Sequence, residues 1–287
     1  MGMKSASLSF ATFSSKTKFN RVIGSSRRIP AKDKDYKKST MWLKFRSAAS
    51  LMASTLPFHG HRKVVLISCG PFNPPNVVHL RMFEVARDYV EKDLGLSVME
   101  GILSPTADTY DKADLASVSD RLKMCHLAVD NVKWVRANGW ECLQKSRISM
   151  VDVLKHHLAL VELKYGARMG PGDDVALVFL CEGDVVDCLA ANRSEKSLWS
   201  KAEVSSIVHD FGLIVCHRAS SKPLETLRKM GFEVEIGRSI HVITDETFPN
   251  DVSEARIQNA VRNGRSIKHS VPQKVEEYIV DHHLYKQ

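Results

Sequence analysis

His79 stands at the head of a helical pattern, just after a stretch rich in glycine, proline and asparagine: Val64-Val65-Leu66-Ile67-Ser68-Cys69-Gly70-Pro71-Phe72-Asn73-Pro74-Pro75-Asn76-Val77-Val78-His79-Leu80-Arg81. The segment reads as a buried strand, a Gly/Pro/Asn loop and a helix that begins near His79. Such a junction aims unpaired backbone N–H groups and the positive end of a helix at the carboxyl edge of the strand, where open α/β sheets hold phosphates. An imidazole placed there can donate to a phosphate as charge builds on it during transfer. On spacing alone, a capped strand-to-helix turn with an incidental histidine accounts for the segment equally well.

That chemistry needs a sheet to hold it, and the rest of the chain supplies one. From Lys63 onward, short β-branched runs at Val64–Ser68, Val98–Ser104, Lys133–Arg136, Val175–Cys181, Leu213–His217 and Ile240–Thr244 alternate with helical patterns. Helical spacing appears over Leu80–Tyr89, Ile148–Leu163, from Val204, over Ala255–Val261 and over Val271–His283, with Pro272 in the first turn of the last. Residues 169–174, Met-Gly-Pro-Gly-Asp-Asp, read as a loop. The pattern predicts an α/β fold of Rossmann-like type, a central, mostly parallel sheet flanked by helices, in one domain over residues 63–287.

The formal charge of +8 raises the question of nucleic acid, and its distribution answers it. Residues 1–63 carry 14 Lys/Arg against Asp33 and Asp35, which leaves 27 Lys/Arg against 31 Asp/Glu in residues 64–287. The expected folded part is slightly acidic. The first 32 residues hold seven basic residues and no acid, which suits either a mitochondrial presequence or a disordered basic extension over residues 1–62. Mitochondrial and cytoplasmic or nuclear locations stay open. No aromatic interleaving accompanies the basic residues, so nucleic acid is not expected as a partner. Apolar runs of five or six residues fall far short of the ~20 that a membrane span needs. Cys69, Cys125, Cys142, Cys181, Cys188 and Cys216 form no Cys-x-x-Cys pair and read as reduced core thiols. Adjacent histidines at 156–157 and 282–283 point different ways on a helix and read as core or solvated residues, so no protein metal site is expected.

The residues around His79 resemble the signature of the nicotinamide/nicotinate mononucleotide adenylyltransferases, within the HxGH-type nucleotidyltransferase superfamily. Gly70, Phe72, Asn73, Pro74, His79, Leu80 and Arg81 match a pattern similar to Gly-Ser-Phe-Asn-Pro-x-Thr-x-x-His-Leu-Arg, with Pro71 and Asn76 in place of Ser and Thr. Ser104-Pro105-x-x-Asp108-x-Tyr110-x-Lys112 is similar to the segment whose lysine contacts the mononucleotide phosphate. Gly139-Trp140-Glu141 and Leu198-Trp199 match segments whose tryptophans stack on the pyridine ring, and Asn250 matches an asparagine near the substrate. The closing stretch Val271–Tyr285 also follows the family pattern. Two aromatic faces suit a planar, cationic pyridinium that offers little else to hold.

The resemblance implies a nucleotidyltransferase fold and adenylyl transfer from ATP to nicotinamide or nicotinate mononucleotide, with His79 as the catalytic donor. ATP would be held by Gly70, Pro71, Phe72, His79, Asp184 and Ser253. The mononucleotide would be held by Phe72, Asn73, Lys112, Trp140, Trp199 and Asn250. Mg²⁺ would arrive with ATP. The family's second phosphate motif, Ile-Ser-Ser-Thr-x-Ile-Arg, stands here as Val252-Ser253-Glu254-Ala255-Arg256-Ile257-Gln258, with Glu and Ala for two hydroxyls and Gln for the arginine. Glu182 likewise stands where the family has glycine, before Asp184. These departures favour, as the alternative, a weakened family member that binds mononucleotide or NAD or acts as a chaperone-like protein. Another acceptor, such as phosphopantetheine, is disfavoured by Trp140 and Trp199. Homo-oligomerisation stays open.

Overall fold

Alternation in the first strand decides the architecture. In β1 (Lys63–Gly70), Val65, Ile67 and Cys69 enter one buried cluster while Val64 and Leu66 enter another. A strand that is apolar on both faces must be covered on both. The computed structural model describes residues 62–108, 114–166, 174–191 and 199–286. Around β1 it sets β2 (Ser97–Pro105), β3 (Val135–Ala137), β4 (Val175–Glu182), β5 (Leu213–His217) and β6 (Ile240–Thr244). These form a six-stranded sheet in the order β3-β2-β1-β4-β5-β6, with each of these pairs parallel. The strand order reverses between β1 and β4, and crevices at such a switch point are where α/β sheets bind ligands.

Eight α-helices accompany the sheet among the described residues: α1 (Val77–Lys92), α2 (Val118–Val129), α3 (Met150–Tyr165), α4 (Gly183–Ala191), α5 (Lys201–Ser206), α6 (Pro223–Met230), α7 (Glu254–Arg262) and α8 (Gln273–Asp281). α5 runs on into a π-helical turn at Ile207–Phe211. α3 and α5 pack Val153, Leu154, Val161 and Val204 against Val65, Ile67, Leu177 and Phe179. α1 brings Met82, Phe83, Ala86 and Val90 onto the other cluster with Leu66, Val178 and Ile214. A third cluster, with Met124, Ile257, Val275 and Ile279, joins α2, α7 and α8.

The strands at Leu213–His217 and Ile240–Thr244 fall where the sequence places them, whereas the third strand starts two residues later, at Val135. The helix near His79 begins at Val77, and the last helix begins at Gln273 with Pro272 as its N-cap residue. Helices α2, α4 and α6 are absent from the sequence reading, although α6 carries Pro223 in its first turn and a left-handed Gly231 just past its end. Residues 1–61, 109–113, 167–173, 192–198 and Gln287 lie outside the described residues, and with them the basic extension, Lys112 and nearly all of the loop expected at 169–174. No helix among the described residues is long and apolar enough to cross a membrane. No disulfide joins the cysteines. Cys69, Cys125 and Cys181 are buried as expected, but Cys188 on α4 is exposed. Burial pushes the Cys69, Cys125 and Cys181 thiols up, so they stay protonated.

Candidate functional site

Asn76 builds the start of α1, and through it the placement of His79. Its side-chain oxygen accepts from the Val78 and His79 amides, at 3.0 and 3.2 Å. In return the His79 Nδ1 accepts from the Asn76 amide at 3.1 Å, closing a capping box. With Nδ1 committed as an acceptor, the neutral ring carries its proton on Nε2. Phe72 fixes the ring from the side, edge-on at 5.0 Å between centroids, and is itself buried at a positive φ of 47°. The ring is thereby held by Asn76 and Phe72 together.

Asn73, at the centre of the loop after β1, is 1% exposed and is the hub of that loop. Its amide donates to Glu254 Oε1 (2.9 Å) and its carbonyl accepts from Gln258 Nε2 (2.6 Å). Its side-chain oxygen accepts from the Ala116 amide (3.1 Å) and the Tyr285 hydroxyl (2.8 Å), while Nδ2 donates to the Asp114 carbonyl (3.0 Å). Two of the three residues that depart from the family's second phosphate motif, Glu254 and Gln258, therefore clamp α7 onto the loop after β1. Asn73 thus joins the loop after β1 to α7, to the backbone of Asp114 and Ala116 and to Tyr285.

Arg121, on α2, is fully buried and ties the neighbouring loops together. It donates to the carbonyls of Ala116 (3.0 Å), Pro71 (2.8 Å) and Thr106 (2.7 Å) and to Asp108 Oδ1 (2.8 Å). Thr106 in turn donates its amide to the Gly70 carbonyl at 3.0 Å. Gly70 and Pro71 are thus held through their backbones at the end of β1.

At the carboxyl end of β4, Glu182 lies with Oε1 3.9 Å from His79 Nε2, and its Oε2 accepts from Arg218 Nη1 at 2.6 Å. Arg218 follows β5, and its Nη2 donates to the Val252 carbonyl at 2.8 Å. Gly183 makes this packing feasible, because a Cβ on it would lie 2.3 Å from the Ser221 hydroxyl. That hydroxyl accepts from the Arg218 amide at 3.0 Å and so shapes the Arg218 turn. Ser253 caps α7, accepting from the Arg256 amide at 3.3 Å. Asn250 turns its side chain to the Val252 amide (2.9 Å), and Asp184 accepts from the amide of Val185 (3.1 Å); both are exposed. Arg256 pairs with Asp251, and Arg262 with Asp114 at 2.9 Å, whereas Arg218 pairs with Glu182 in this crevice. Arg218 and Arg121 escaped the sequence reading. A cation one residue past the end of a recognised strand was the available signal for Arg218, whereas Arg121 sits on a helix the reading missed.

The two tryptophans take different places. Trp140 stands before a 3₁₀ turn (Glu141–Leu143) and is stacked with His156 at 3.7 Å and 10° between planes. At most one of its faces can then take a pyridine ring. Trp199 is 7% exposed, packed edge-on against Phe179 at 5.6 Å within the core cluster under β4. Of the two rings implied by the resemblance, Trp140 is partly exposed and Trp199 lies in the apolar core. Burial holds His156 down at about 4 and the fully buried His157 at about 3, so both are neutral near pH 7. Glu141, 2% exposed, is pushed up to about 8 by burial, with the Arg121 guanidinium pulling the other way. Among the described residues no group of three or more His, Cys, Asp or Glu could hold a metal ion.

A histidine oriented by a capping box lies at the switch point of the parallel sheet, and the nucleotidyltransferase-type family model described as cytidylyltransferase-like matches residues 67–260. The chain is 38% identical to nicotinamide/nicotinic acid mononucleotide adenylyltransferase 2 of Caenorhabditis elegans, over 79% of this chain and 99% of that protein. It is 32% identical to nicotinamide/nicotinic acid mononucleotide adenylyltransferase 1 of Bos taurus, over 78% and 89%. The chain belongs to the nicotinamide/nicotinic acid mononucleotide adenylyltransferase family. In fold it is similar to the Plasmodium falciparum nicotinic acid mononucleotide adenylyltransferase complexed with NaAD, with a TM-score of 0.53 and 16% identity over 78% of this chain and 97% of that one.

Proposed function

We propose that this chain transfers the adenylyl group of ATP to nicotinamide or nicotinate mononucleotide, releasing pyrophosphate and forming NAD or its acid precursor. The observation that carries the reading is the His79 capping box, which points an Nε2–H into the switch-point crevice of a chain that spans 99% of its Caenorhabditis elegans relative. The mononucleotide phosphate attacks the ATP α-phosphorus in line. It is already an anion, so no base is required, and the protein's contribution is positioning and charge neutralisation. His79 donates to the phosphate as charge accumulates, beside the backbone of Gly70, Pro71 and Phe72. Mg²⁺ enters as Mg·ATP, since a hard cation that keeps its waters binds well to phosphates without a protein cage. Asp184 is assigned to ribose, Ser253 to the ATP phosphates, Lys112 to the mononucleotide phosphate and Asn250 to the mononucleotide. Trp140 offers one face to the pyridinium, and Trp199 backs the pocket from the core. Residues 63–287 constitute the transferase domain.

The test is NAD formation from nicotinamide mononucleotide and Mg·ATP by the purified chain beside its His79→Ala variant. The expected result is turnover that falls by about 100-fold or more in the variant. Mononucleotide binding without turnover in the unmodified chain would instead support a weakened family member that acts as a binder, the reading motivated by Glu254 and Gln258.

A further inference from the structure

Three charged or chargeable side chains meet beyond the carboxyl ends of β4 and β5, and the proposed mechanism uses one of them. His79, Glu182 and Arg218 are each about nine-tenths buried, with side-chain exposures of 12, 11 and 11%. One Glu182 oxygen is taken by Arg218 at 2.6 Å. The other, Oε1, is buried without a hydrogen-bond partner and faces His79 Nε2 from 3.9 Å. A buried carboxylate oxygen left in this way is incompletely satisfied. Arg218 reaches on to the Val252 carbonyl, one residue before the cap of α7, so its guanidinium spans from the edge of β4 to that helix start.

We propose that Glu182 is a built-in anion of the phosphate crevice, its carboxylate standing between His79 and Arg218 and competing with the substrate's phosphate for both donors. The proposal rests on the reading of His79 as a phosphate donor. Two donors from separate elements converge on one carboxylate that uses only one of its oxygens well. A phosphate, with more oxygens and more charge, engages a guanidinium and an imidazole N–H together. Glu182 also neutralises a guanidinium that would otherwise be buried beside a single carbonyl. The same carboxylate therefore stabilises the fold by holding Arg218 and weakens anion binding by repelling the incoming phosphate.

These opposite effects give the test. Pyrophosphate is titrated calorimetrically into the full chain and into Glu182→Gln, which keeps the volume and an acceptor for Arg218 without the charge, with Glu182→Ala as a second variant. The expected result is a dissociation constant about tenfold lower in both variants, a lower KM for ATP, and a lower melting temperature when no anion is present. A purely structural role would lower stability without tightening binding. Pyrophosphate affinity that is equal or weaker in Glu182→Gln overturns the proposal and leaves the His79 reading standing. Pyrophosphate that binds none of the three proteins overturns both.

Discussion

At the scale of single residues, burial decides which titratable groups carry charge. Glu141 is held up at about 8, against an ordinary 4.5, so the folded chain keeps a proton there that the unfolded chain has lost above pH 4.5. Its contribution to stability is complete below that value and is lost as pH rises through about 8. Glu141→Gln should therefore gain stability over the unmodified chain between pH 5 and 9, by on the order of a few kcal/mol, which denaturant unfolding at several pH values will read. His156 and His157 act with the opposite sign: their neutral forms contribute stability above pH 6.5 that is lost as pH falls toward about 4 and 3. These three groups together place the stability maximum near pH 6.5, measurable as the peak of melting temperature against pH. Arg121 is a different case, a buried cation with four acceptors, and Arg121→Met should cost ~3–5 kcal/mol by leaving Asp108 and three carbonyls without it. None of these environments was legible in the sequence, where Glu141 and Arg121 are ordinary charged residues. The position of His79 at the start of α1 was legible, because its loop and helix are contiguous with it.

Helix α7 shows how an element can depart from a family motif and still serve the site. Glu254 and Gln258 lie one turn apart on one face, and from there grip the amide and the carbonyl of Asn73. Tyr285, beyond α8, reaches the same residue's side chain and braces the loop after β1. Gln258→Ala should cost ~1–3 kcal/mol of stability, by leaving the buried Asn73 carbonyl unsatisfied, and should raise KM for ATP through the loosened loop. Tyr285→Phe should do the same to a smaller degree. Chemical denaturation with steady-state kinetics checks both. Local punctuation made several elements readable: the Gly/Pro/Asn loop before α1 and the β-branched runs of β5 and β6. Helix α4 was unreadable because it starts at Gly183 directly from the end of β4, with no loop between to announce it.

For the molecule as a whole, the sequence separates a basic first segment from a slightly acidic remainder, and among the described residues the core clusters begin at Val64. Removal of residues 1–61 should leave the melting temperature within a few degrees and adenylyl transfer intact; loss of transfer in a folded truncate would assign those residues a part in the chemistry. By itself the sequence determined the α/β class, the parallel strands and the position of the His79 junction. Those follow from periodicity and from residues adjacent in the chain, whose effects are local. Only the tertiary structure decided that Glu182 meets His79 and Arg218, that Glu254, Gln258 and Tyr285 converge on Asn73, and that Trp199 turns into the core. Those contacts join residues 36 to 212 positions apart, or depend on which apolar face a ring finds, and no local spacing encodes either.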